Sequence, residues 1–97
     1  MDFKHNYTES VISAFNYDGE NPIELMFFVR HNNPKYSITF KLDDNAKVLV
    51  TSEDGDITRV FTDDMVFFKE DRICTLESRT FGNSYTRVKY IRGKDHE

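Results

Sequence analysis

The sequence predicts a small all-β domain, an antiparallel barrel or sandwich of six to eight strands with room for one short helix. Three observations carry that reading. Tyr36-Ser37-Ile38-Thr39-Phe40-Lys41-Leu42 alternates apolar and polar side chains without a break, the period of a half-buried strand. Turn-forming clusters recur about every ten residues, the spacing of short antiparallel strands. The runs between them are rich in β-branched and aromatic residues, with nine Phe and five Tyr in the chain.

The elements follow in order. Residues 7–17 fit a strand or a short amphipathic helix, and their β-branched and aromatic content favours the strand. Residues 23–31 read as a strand with Ile23, Leu25, Phe27 and Val29 on one face and Glu24, Met26, Phe28 and Arg30 on the other. Asn32-Asn33-Pro34-Lys35 then makes a hairpin turn into residues 36–42, because Pro34 fixes φ and Asn suits turn geometry. Asp43-Asp44-Asn45-Ala46 turns into a short strand over residues 47–52. Asp54-Gly55 tolerates the positive φ of a tight hairpin leading to residues 57–62.

Residues 63–77 fit either a helix capped by Thr62 or a hairpin. The run Met65-Val66-Phe67-Phe68 favours the hairpin, turning through Lys69-Glu70-Asp71 into residues 72–78. Phe81-Gly82-Asn83 marks a turn into a last strand, residues 84–92. The expected core is Leu25, Phe27, Val29, Ile38, Phe40, Val48, Val50, Val60, Phe67 and Ile73. Nine Phe exceed the obvious needs of the inward faces. Met26, Phe28, Phe67 and Phe68 therefore belong either to an outer partner or dimer surface or to a sheet buried on both faces.

Ninety-seven residues fit one domain, expected to fray over about residues 1–6 and 93–97. The single cysteine, Cys74, excludes an intrachain disulfide. The first six residues do not read as a secretory signal, and no apolar run reaches the roughly 18 residues of a membrane helix. The expected compartment is the cytoplasm, with no membrane partner. The composition leans to residues with AT-rich codons, a bias common in bacterial and phage genes.

Little in the sequence points to catalysis. His5, His31, His96 and Cys74 lack zinc-ligand spacing, and no loop has the acidic pattern of a calcium site, so neither metal nor cofactor is expected. Cys74, in a predicted strand, reads as a small buried hydrophobe. No nucleophile elbow, phosphate loop or dinucleotide fingerprint is present. The acidic groups Asp43-Asp44, Glu53-Asp54-Asp56, Asp63-Asp64 and Glu70-Asp71 fall in predicted turns, where solvated carboxylates lack the divergent environments of an acid–base pair.

Charge is the more informative feature. The chain carries a net −4, but residues 43–71 hold nine acidic residues against three basic, and residues 72–94 hold six basic against one acidic. Two functional expectations follow. The first is a small acidic module that docks stoichiometrically on a basic partner protein through Asp43, Asp44, Glu53, Asp54, Asp56, Asp63 and Asp64. Inhibitors and immunity-type proteins of bacteria and phages share its size and charge. The alternative is an OB-like or Sm-like domain that binds single-stranded nucleic acid through Tyr85, Arg87, Lys89, Tyr90 and Arg92, with bases stacked on rings and cations along the phosphates. A homo-oligomer, formed through an edge strand or exposed aromatics, is compatible with either.

Overall fold

A computed structural model describes residues 1–40 and 48–88, with the Phe40 side chain outside that description. Among the described residues, eight strands form two antiparallel sheets, accompanied by two short helices. The order is β1 (Asp2–His5), β2 (Val11–Tyr17), α1 (Pro22–Asn32), β3 (Ser37–Phe40), β4 (Val48–Thr51), β5 (Ile57–Val60), β6 (Asp64–Lys69), β7 (Arg72–Glu77), α2 (Ser78–Ser84) and β8 (Tyr85–Arg87). The five-stranded sheet runs β7-β6-β2-β1-β8 and the three-stranded sheet β3-β4-β5. The all-β expectation holds, as separate sheets rather than one closed barrel.

The main correction concerns residues 23–31, which form α1 and not a strand. Ile23, Leu25, Phe27 and Val29 satisfy a period of two, but Leu25 and Val29 are also four apart. On a helix those two share a face. Both are fully buried, whereas Phe27 is 65% exposed. The helix-start and helix-end signals were present: Pro22 in the first turn, Glu24 near the positive end, and Arg30 and His31 near the negative end. The N-cap Asn21 spends its side chain on the preceding loop, accepting from Asp18 N at 3.0 Å and donating to Asn16 O at 3.0 Å. The Asn33-Pro34 segment is accordingly a helix exit and not a hairpin.

Two further corrections lie near the ends of the described chain. Residues 2–5, expected to fray, form β1 and pair on both sides, with Phe3 opposite Ile12 and Arg87. Residues 78–84 form α2 where a turn was expected, and the last strand among the described residues is Tyr85–Arg87.

Two hydrophobic clusters lie on opposite faces of the five-stranded sheet. The larger gathers Tyr17 and Val66 from that sheet, Leu25 and Val29 from α1, and Val48, Val50 and Val60 from the three-stranded sheet. Phe15, Phe28, Phe68 and Tyr36 continue it as a chain of rings with centroids 5.4–6.2 Å apart. The smaller cluster comprises Ala14, Met65, Phe67 and Phe81, with Phe3, Ile12, Cys74 and Tyr85 packed against it. Strand β6 therefore feeds alternate side chains into both clusters. The sheet is buried on both faces through Phe67, 5% exposed, and Phe68, half-buried, while Met26 and Phe28 are half-buried on α1 and not on a strand.

The β6–β7 hairpin closes on Lys69 opposite Arg72, with Glu70 (φ 54°) and Asp71 (φ 66°) as its two loop residues. Positive φ at both is the requirement of a type I′ turn, which Asn-Gly meets at lower steric cost than Glu-Asp. Replacing Glu70 by Asn together with Asp71 by Gly should raise stability by about 1 kcal/mol, read from the urea midpoint. The helix assignment makes a separate prediction. Leu25→Ala should cost about 2–5 kcal/mol and Phe27→Ala less than about 0.5 kcal/mol, whereas a strand would place both on one face and penalise both.

Candidate functional site

The candidate site is an open cleft of about 410 Å³ between the β4–β5 turn and the start of β7, lined by Glu53, Asp54, Asp56, Asp71, Lys35, Arg72 and Tyr36 among others. Its β4–β5 wall is a tight turn. Gly55 N donates to Ser52 O at 3.0 Å, Ser52 N donates to Asp56 O at 2.9 Å, and Gly55 takes φ 92°. Asp56 N also donates to Ser52 Oγ at 3.1 Å. These bonds use the backbone of Asp56, and the carboxylates of Glu53, Asp54 and Asp56 are exposed.

The opposite wall is held by Tyr36. Its hydroxyl donates to Asp71 O at 3.4 Å and accepts from Ile73 N at 3.3 Å, tying the approach to β3 to the start of β7. Asn33 Nδ2 reinforces the tie with a donation to Asp71 O at 3.4 Å. Four carboxylates thus border the cleft against two cations. Lys35 lies 3.5 Å from Glu53, but both side chains are about 70% exposed, so the pair contributes at most about 1 kcal/mol.

The acidic residues singled out in the sequence divide into three groups. Glu53, Asp54 and Asp56 meet in the cleft. Asp43 and Asp44 lie outside the described residues. Asp63 and Asp64, expected in a solvated turn, are engaged in the fold. Asp63, at φ 70°, accepts from Ser78 Oγ at 2.8 Å and from Asn16 Nδ2 at 3.3 Å, and its backbone N donates to Tyr17 O at 2.6 Å. Asp64 is 8% exposed, and its carboxylate accepts from Phe61 N at 2.9 Å.

Sequence reasoning did not place Tyr36, Asn33, Asp71 or Arg72 in the site. Only tertiary packing brings the exit of α1 against the β6–β7 turn, and no local pattern announces it.

The alternative residues lie elsewhere. Tyr85 and Arg87 sit on β8, with Tyr85 stacked on Phe81 at 4.6 Å and edge-on to His5 at 5.0 Å. One face of the Tyr85 ring is therefore already covered. Lys89, Tyr90 and Arg92 lie outside the described residues. Cys74 is half-buried, with Sγ 3.7 Å from Arg72 O. Among the described residues no group of three His, Cys, Asp or Glu side chains is placed to hold a metal ion, and no helix is long and apolar enough to cross a membrane.

Comparison with family models, curated proteins and solved structures finds no match for this chain.

Burial pushes the Asp64 carboxyl above its ordinary value, and the Glu77 and Asp63 carboxylates add to the rise, while the bond from Phe61 N opposes it. The folded state therefore holds this proton more tightly than the unfolded chain. Its stabilising contribution is complete below the unfolded value of about 3.9 and is lost as pH rises through the higher folded value. Asp64→Asn keeps an acceptor for Phe61 N and removes the charge. Its stability relative to the parent, measured by urea denaturation, should be more favourable at pH 7 than at pH 3.

Proposed function

We propose that the domain is a protein-binding module that docks on a basic surface of a partner through the cleft bordered by Glu53, Asp54, Asp56 and Asp71. The observation that carries this reading is the convergence of four carboxylates from two separate turns on one open cleft, against Lys35 and Arg72 alone. Exposed carboxylates on a concave surface focus a negative potential, which speeds association with a cationic partner and sets its orientation. The tight β4–β5 turn and the Tyr36 tie hold both walls in place, so little ordering cost falls on binding. Stoichiometric inhibition, by occupying a partner's basic cleft, is one activity such a surface can perform.

The test uses a fluorescent octa-arginine peptide as the basic probe, followed by anisotropy at about 20 and 150 mM salt. Reversing both Asp54 and Asp56 to Lys should weaken binding at least tenfold and flatten its salt dependence. Reversing Glu9 and Glu20, exposed acids outside the cleft lining, changes net charge equally and should have a much smaller effect. Equal losses from the two reversals would reduce the effect to net charge and refute the site. Tight, salt-sensitive binding of labelled oligothymidylate would instead favour the nucleic-acid reading.

A further inference from the structure

A second cleft, of about 440 Å³, opens on the other side of the β6–β7 hairpin, beside the β1–β2 hairpin. Its apolar lining includes Val11, Ile12, Phe67 and Tyr85, and Lys69 and Glu70 also border it. The cavity falls within the roughly 300–1,000 Å³ range of ligand sites. His5 and Thr8 line it too, and between them in sequence stands Tyr7, which is 83% exposed. Val11, on the next strand, is 54% exposed. Tyr7 stands at the cleft's margin: its N donates to His5 Nδ1 at 3.2 Å, and its ring lies edge-on to His5 at 6.0 Å. A large projecting ring thus stands next to a hole of ample size that it does not fill.

We propose that the chain self-associates as a two-fold dimer in which Tyr7 of each copy enters this cleft of the other. A knob beside its own hole is the arrangement a two-fold axis can satisfy twice in one contact, because each copy offers the same patch. The charges favour a second copy over other occupants. Among the described residues, neither Lys69 nor Glu70 has an opposite charge within ion-pair distance. Two-fold symmetry can bring Lys69 of each copy toward Glu70 of its mate, whereas a polyanion would meet Glu70 and a polycation Lys69. The patch is locally neutral on a chain of net −4, so copies meet there with the least repulsion. A Tyr buries roughly 150–250 Å², so two Tyr and two Val give an interface below standard size. Self-association is therefore expected to be weak, with a Kd of roughly 10⁻⁴ M.

Sedimentation velocity from about 10 to 500 µM tests this by mass action. The parent chain should shift from monomer to dimer over that range, and Tyr7→Ser, at an exposed position that leaves both hydrophobic clusters intact, should remain monomeric. Lys69→Glu and Glu70→Lys should each weaken the dimer, and mixing the two variants should restore it as a heterodimer. A parent chain that is monomeric at 500 µM, or a dimer unaffected by Tyr7→Ser, overturns the proposal. A monomer in which Tyr7, Val11 and Tyr85 resonances shift on adding oligothymidylate assigns the cleft to nucleic acid and overturns it as well.

Discussion

Strand β6 is the element on which the rest of the molecule depends. Its Met65-Val66-Phe67-Phe68 run lies between β2 and β7 and supplies both hydrophobic clusters, one from each face. That double burial creates a difficulty of register. A strand apolar on one face resists slipping by one residue, because the slip would turn its polar side chains inward. β6 is apolar on both faces, so its hydrophobic pattern tolerates the slip, and the register must be held at its ends. At one end Asp63 ties β2 to the start of α2, while Asp64 closes the turn from Phe61. At the other, the two left-handed residues Glu70 and Asp71 form the two-residue connection that sets Lys69 opposite Arg72. The buried Asp64 carboxyl thus sits at one of these two ends, where it accepts from Phe61 N in the turn that leads into β6.

The hairpin that carries β6 also partitions the surface. Asp71 and Arg72 border the acid-lined cleft, and Lys69 and Glu70 border the second cleft. Four consecutive residues therefore serve two concave surfaces of different character. The Tyr36 hydroxyl, bonded to Asp71 O and Ile73 N, fixes this hairpin against the approach to β3 and steadies both sides together.

Where local pattern and burial agreed, the architecture could be read directly from the residues. Strand β3, the Asp54-Gly55 turn and the β6–β7 hairpin all follow from period, propensity and turn chemistry. Residues 23–29 failed because Leu25 and Val29, two members of a period-two set, are also four apart, and their burial between the two sheets, with Ile23 and Phe27 left exposed, is what only the fold displays. The site was half legible. Glu53, Asp54 and Asp56 declare themselves as a charged turn, but their neighbours across the cleft arrive from two other parts of the chain. Asp63 and Asp64 look like any acidic turn in sequence. Their role in the fold comes from partners that the sequence does not place near them, namely Ser78, Asn16 and, for Asp64, a backbone amide fixed by the turn.

The pairing of β1 with β8 has a kinetic consequence. Asn6 and Thr86, 80 positions apart in sequence, are joined side chain to side chain at 2.6 Å. Until residues 85–87 have emerged from the ribosome, one edge of β1 and the Phe3–Phe81–Tyr85 packing beside it remain open. Closing so distant a contact costs chain entropy before any contact energy is returned, which slows folding. During that interval the nascent chain offers an unpaired strand edge flanked by bare aromatic rings, the kind of surface on which aggregation starts and which chaperones cover.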